Sequence, residues 1–230
     1  ILNSSDNSSF TSLKKIPNEE RTMFDRRIND DSKDYAQGSW INITPFLFTA
    51  FFSDGTEIEV QVNDEFENNI EAESVALSYL KVIGKLPKLF RKEVETIWIH
   101  KGNEDFGGGN NNLLIHTDWS EKNYENQGIL EETLVHEASH TSLDSYHAES
   151  EGWLSAQDKD CEFISTYARD NPIREDVAES YLPYLAIRYR SDRISDNLKK
   201  RIEEGAEKSC RKHNTDLGKT NLRSKLYTHH

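Results

Sequence analysis

Between Ile41 and Phe52 the chain is dense in β-branched and aromatic residues, and Ile58, Val60 and Val62 then alternate with Glu57, Glu59 and Gln61. A period of two belongs to a strand with one wet face. Ser53-Asp54-Gly55-Thr56 lies between the two runs, and Asp-Gly is a strong tight-turn signal, so residues 41–63 are predicted to form a hairpin. Asn63-Asp64 offers a helix cap. Ile70, Val75, Ala76, Tyr79, Leu80 and Ile83 then recur at helical spacing, which predicts a core-facing helix over residues 66–83 ended by Gly84. Leu86-Pro87-Lys88-Leu89-Phe90 reads as a connector of about one helical turn.

Val94–His100 and Leu113–Thr117 are predicted as two strands of a long hairpin. The Gly107-Gly108-Gly109-Asn110-Asn111-Asn112 run is expected between them as a flexible loop, with the second strand at the sheet edge above the next helix. The triple glycine lacks the Lys-Ser/Thr of a phosphate-binding loop and precedes no helix, which excludes that reading. His100 and His116 are expected as ordinary strand residues. A helix follows over residues 129–144, then helical pieces over 147–168 that carry Trp153, Phe163 and Ile164. Asn171-Pro172 breaks the chain, and Pro172 suits the first turn of a new helix. That helix carries Ile173, Val177, Tyr181, Leu185 and Ile187, with Pro183 inside it as a kink. A more polar helix over 192–212 completes the series. Strands first and helices second predict an α+β fold: a small mixed sheet with an edge strand over a helix, and a helical C-terminal half.

Composition divides the chain further. Residues 1–36 are rich in Ser, Asn, Asp and charge, so they are expected to be a flexible arm or prosegment remnant. Residues 37–212 form the predicted domain and 213–230 a frayed tail, whose His229-His230 resemble a trimmed tag. The chain opens on Ile1 rather than Met, as expected of a processed form. A formal net charge of −13 disfavours nucleic acid and anionic membrane as partners, and no apolar run approaches the length of a bilayer span. Sequons at Asn3, Asn7 and Asn42 mark candidate glycosylation sites. Cys161 and Cys210 are the two cysteines, and together with the sequons they fit a secreted chain with one disulfide. Nothing in the sequence indicates an oligomeric state.

The candidate chemistry lies in Thr133-Leu134-Val135-His136-Glu137-Ala138-Ser139-His140-Thr141. On a helix, positions i and i+4 share a face one turn apart, so His136 and His140 aim two imidazoles at one point. Glu137 sits beside them as the general base of the H-E-x-x-H zinc arrangement. Glu131-Glu132 place negative charge at the positive end of the helix dipole.

A catalytic zinc takes three protein ligands and a water. The metzincin spacing fails here, because Leu143 stands at its glycine position and Tyr146 at its last histidine position. His147 misses by one, and Asp144 lies too far along the axis. The remaining option is Arg174-Glu175-Asp176-Val177-Ala178-Glu179, which presents two carboxylates on one face of an otherwise apolar helix. Burying an unpaired carboxylate costs several kcal/mol, roughly; a metal and a metal-bound histidine would offset two of them. Glu175 is therefore assigned to zinc, and Glu179 to a hydrogen bond with a ligand histidine.

H-E-x-x-H followed some tens of residues later by Tyr167, Asn171-Pro172 and Glu175-Asp176-Val177-Ala178-Glu179 resembles the gluzincin-type peptidases, the group of the anthrax lethal factor catalytic domain and the Pro-Pro endopeptidases. The likeness covers about residues 94–190. It implies a zincin-like fold, with Glu175 as third zinc ligand and Glu179 behind it. It also implies that Tyr167 donates a hydrogen bond to the tetrahedral intermediate. The spacing from Tyr167 to Glu175 is one residue longer than the family pattern.

The expected function is that of a secreted endopeptidase with one catalytic zinc, acting on peptide or protein substrates through a water activated by Glu137. The alternative is a secreted zinc-binding protein without peptidase activity, such as a toxin-like or immunogenic module. A retained Glu137 argues for the first.

Overall fold

A computed structural model describes Leu2 and residues 5–28, 38–160 and 163–202. They divide into two compact units, Leu2–Ser142 and the residues from Leu143 onward. The first holds all the strands. β1 (Phe10–Lys15), β2 (Arg21–Asp25), β3 (Ser39–Ile43), β4 (Phe46–Phe52) and β5 (Glu57–Val62) precede helices α1 (Asn69–Ile83) and α2 (Lys88–Arg91). β6 (Thr96–His100), β7 (Gly107–Gly109) and β8 (Asn112–His116) follow. One helical turn, α3 (Thr117–Trp119), runs on into a π-helical stretch over Ser120–Glu125, and α4 (Leu130–Ser142) closes the unit.

β1, β4, β5, β6, β8 and β7 make one six-stranded mixed sheet in that spatial order, and β2 and β3 pair as a separate ribbon. The architecture is α+β, as the order of patterns predicts. β4 and β5 form the hairpin of the alternating segment, with Phe46 opposite Val62 and Phe51 opposite Glu57. Its turn needs Gly55, whose φ of +84° an L side chain would resist. Asp54 Oδ1 accepts the Thr56 amide there at 3.1 Å. The predicted hairpin began too early, however. Pro45 has no amide to donate, and Ser39–Ile43 leaves the main sheet to pair antiparallel with β2.

Three further differences stand out. Residues 10–25, assigned by their polar composition to a flexible arm, contain two strands. β1 pairs antiparallel with β4 from Phe10–Phe52 to Lys15–Phe48, so the backbone ladder offsets what few apolar side chains could not. β6 and β8 do not form a hairpin: they run parallel, with Ile97 opposite Leu113 and His100 opposite His116. The glycine run is itself a strand. β7 pairs antiparallel with β8 across Asn110 and Asn111, whose φ values of 50° and 60° suit the two-residue turn that twisted hairpins favour. β7, not β8, is therefore the sheet edge, and β8 is buried along its whole length.

α1 starts three residues later than predicted. Asn68, rather than Asn63-Asp64, caps it, its side chain accepting the amides of Ile70 and Glu71 at 2.9 and 3.1 Å; such a cap is worth about 1 kcal/mol. Ala72, Ala76, Tyr79, Leu80 and Ile83 face the core, while Ile70 is exposed. Leu47, Phe48, Val60, Ile97, Ile99, Leu113 and Ile115 fill the sheet side of this core, with Leu134, Val135 and Ala138 of α4 also buried.

The second unit is helical, as its pattern predicts: α5 (Asp144–His147), α6 (Glu151–Lys159), α7 (Thr166–Asp170) and α8 (Asp176–Tyr189), then helix over residues 196–202. Pro183 lies inside α8. Ser150 and Ser165 cap α6 and α7 through the amides of Trp153 and Ala168. Trp153, Ala156, Ala168, Val177, Ala178 and Leu185 are buried within it. Cys161, Cys210, Asn3 and the tail from 213 lie outside the described residues. Among the described residues no helix is long and apolar enough to cross a membrane.

Candidate metal centre

α4 carries the H-E-x-x-H residues on an uninterrupted helix. Its apolar face anchors it, and Ser142 donates to the Phe90 carbonyl at 2.9 Å. His136 Nε2 and His140 Nε2 stand 3.2 Å apart, with ring centroids 4.8 Å apart and planes at 84°. Two ligands on one tetrahedral ion at Zn–N distances of about 2.0–2.1 Å would lie about 3.3–3.4 Å apart. The helix has thus brought the two nitrogens to ligand separation. His140 is buried and His136 half-buried, with Glu137 half-buried beside it.

The edge strand runs directly against this helix. A Cβ at Gly108 would fall on the carbonyl oxygen of Glu137, so only glycine permits the approach. The Gly109 amide donates to Thr141 Oγ1 at 2.7 Å, and that hydroxyl donates to the Asn112 carbonyl at 2.7 Å. Thr141, one residue past His140, therefore pins α4 to both strands of the β7–β8 hairpin.

Sequence reasoning missed Tyr124. It lies in the π-helical stretch, its ring 4.8 Å from that of Phe106. Burial raises its phenol pKa, and the Glu137 carboxylate adds to the rise, so a phenol and the candidate base share one field. A π-helical stretch so close to a candidate site was the available signal, but it leaves no trace in residue pattern.

In the second unit, Glu175 occupies the N-cap position of α8 and is 2 % exposed. The Arg174 guanidinium stands 3.3 Å from Glu175 Oε1. Asp176, fully buried, accepts from Trp153 Nε1 at 3.0 Å and Gln157 Nε2 at 2.9 Å. Gln157 also donates to the Pro172 carbonyl at 3.0 Å, so α6 fixes the entry of α8 and with it Glu175. Glu179, one turn on, is half-buried; its amide donates to the Glu175 carbonyl at 2.9 Å. Burial of Glu175 and half-burial of Glu179 contradict a purely solvated charged face. Tyr167 sits on α7 and is 54 % exposed. Taken as donors, His136, His140 and Glu175 are a group that could hold a metal ion, one ligand atom from each.

His100 and His116, expected as ordinary strand residues, belong to a buried charged cluster. Their rings stack with centroids 5.3 Å apart. Asp25 places its carboxylate 3.7 Å from His100 Nδ1 and 3.6 Å from His116 Nε2, and Asn63 Nδ2 lies 2.8 Å from His100 Nδ1. Arg27 completes the group, donating to Asp25 Oδ2 at 2.6 Å and Glu65 Oε2 at 2.7 Å. Burial pushes His100 down to about 4. Burial alone would raise the Asp25 carboxyl, but His116 and Arg27 outweigh it and hold it well below the usual carboxylate range.

No protein-family model matches the chain, and no curated protein or solved structure matches it.

Proposed function

We propose that the protein is a secreted zinc-dependent endopeptidase, with His136, His140 and Glu175 as the metal ligands and Glu137 as general base. The observation that carries this reading is the 3.2 Å separation of the two imidazole Nε2 atoms on a helix that sets Glu137 between them. Two neutral imidazoles and one carboxylate are the donor set of a catalytic zinc with an open position. A bound zinc would supply Lewis acidity and lower the pKa of its water toward neutrality.

The chain's own residues do the rest. Glu137 accepts a proton from the attacking water and returns it to the leaving amine. Tyr167 donates a hydrogen bond to the developing oxyanion, and its exposed position suits contact with a substrate. Glu179 steadies a ligand histidine from behind. The glycine edge β7 offers backbone amides and carbonyls without side chains, so an extended peptide can add to it as a further strand. The exposed sequon residues Asn7 and Asn42 support a secreted chain.

Substitution of Glu137 by Gln tests the mechanism, with bound zinc measured by metal analysis and cleavage followed on a peptide library. Zinc should remain at one equivalent while cleavage is lost. Cleavage that survives the substitution overturns the role of Glu137. Wild-type protein that binds zinc but cleaves no peptide would instead be a zinc-binding module.

A further inference from the structure

The β7 strand has an unusual problem. Three glycines carry no side chains to pack, and glycine loses the most conformational freedom on ordering, yet this strand is the one laid against the helix of His136, Glu137 and His140. Something outside the strand must hold its approach. The segment that delivers it, residues 101–106, is gripped from the β2 end of the separate ribbon. Arg26 Nη1 donates to Asp105 Oδ1 at 2.5 Å, and its Nη2 lies 2.9 Å from where a Cβ of Gly107 would be. Arg27 fills the space beside Gly102 and is itself tied to Asp25 and Glu65. Glu65 in turn accepts the Lys101 amide at 2.7 Å. Phe106, between the two residues that Arg26 touches, is buried with its ring against Tyr79 and Tyr124.

We infer that Arg26 is a positioning residue: braced by Asp105, it covers Gly107 and fixes the edge strand over the helix of the candidate base. The N-terminal ribbon, remote in sequence, thereby sets the position of the edge strand, whose register the β7–β8 turn fixes. Arg26 acts through β7 rather than on reacting atoms. Its consequence for substrate rests on the peptidase reading, whereas its hold on β7 does not. Asp105 is 56 % exposed and Arg26 27 %, so this pair contributes little to global stability, and its loss is expected to act locally.

The test uses the full chain with Arg26→Ala, Arg26→Lys and Asp105→Asn, read by amide hydrogen exchange, thermal melting, zinc binding and peptide cleavage. Arg26→Ala and Asp105→Asn should speed exchange over residues 107–109 about tenfold or more. Exchange in β4 and β5, the melting temperature and zinc affinity should stay unchanged, and Arg26→Lys should restore part of the protection. On a cleaved peptide, KM should rise several-fold, roughly, with kcat little altered, the mark of lost binding rather than lost chemistry. Unchanged exchange over 107–109, or faster exchange across the whole sheet, overturns the proposal. If the wild-type protein cleaves nothing, the peptidase reading fails while the exchange measurement still decides the role of Arg26.

Discussion

Gly108 and Glu137 meet backbone to backbone: any side chain at position 108 would begin on the carbonyl oxygen of Glu137. The edge of the sheet and the helix of the candidate base are thereby held at the closest approach that a polypeptide allows. Gly108→Ala should push β7 from α4 and break the 2.7 Å bond from the Gly109 amide to Thr141 Oγ1. A loss of about 1–3 kcal/mol is expected from overpacking, with faster amide exchange over 107–109 and 138–142. Denaturant unfolding and hydrogen exchange check both.

Metal should stabilise the protein by mass action. With free zinc a thousandfold above its dissociation constant, the native state gains about 4 kcal/mol, visible as a rise in melting temperature. On the proposed zinc reading, His140→Ala takes away one proposed ligand and Glu175→Gln weakens another, so the first should abolish the zinc-dependent rise and the second should reduce it. Comparing each variant with and without zinc separates metal binding from the packing cost of the substitution.

The buried His100 imposes a pH window. Its pKa in the folded chain, about 4, lies below its ordinary value of 6.5. A histidine held neutral by burial contributes stability above the unfolded pKa, and that contribution is lost as pH falls from about 6.5 toward 4. The full effect is about 3 kcal/mol. Asp25, held low, loses its own contribution only at pH values beneath its ordinary 3.8. His100→Asn should flatten the stability profile between pH 6.5 and 4 relative to wild type, measured by urea unfolding at a series of pH values.

Arg91 is 2 % exposed, yet charged. Its guanidinium donates to Asp54 Oδ2 at 2.7 Å and to the Leu86 carbonyl at 3.2 Å, and lies 4.7 Å from the centroid of the Phe52 ring. Asp54→Ala should therefore cost about 3 kcal/mol, because it strands a buried cation and also removes the turn bond to Thr56. The double variant Asp54→Ala with Arg91→Met should recover part of this loss, as a double-mutant cycle of unfolding free energies would show.

Helix α4 and its pair of histidines were legible because the i, i+4 relation is a local property of the chain. The hairpin of β4 and β5 was legible for the same reason: alternation and an Asp-Gly turn specify it within twenty-odd residues, roughly. Partial burial of Glu175 was also foreseeable from the apolar stripe of the residues that follow it, although it stands at the N-cap of α8 rather than inside the helix. The strand nature of Gly107–Gly109 was not, since glycine carries no pattern and reads as a loop by composition. Nor was β1, whose exposed and half-buried side chains look like a solvated arm until its ladder to β4 is drawn.

The sequence by itself determined which residues could share a helix face, that the apolar and alternating runs of β4, β5, β6 and β8 were strands, and that two imidazoles and a nearby carboxylate stood ready on one turn. Only the tertiary structure decided that β6 and β8 lie parallel, that the glycines form the edge, and that Asp25 from the N-terminal ribbon approaches both His100 and His116. The physical reason is range. Side-chain periodicity records which way a residue faces, whereas the partner across a ladder or inside an ion cluster is chosen by backbone hydrogen bonds and burial between segments tens of residues apart, and an alternating strand pairs equally well in either direction.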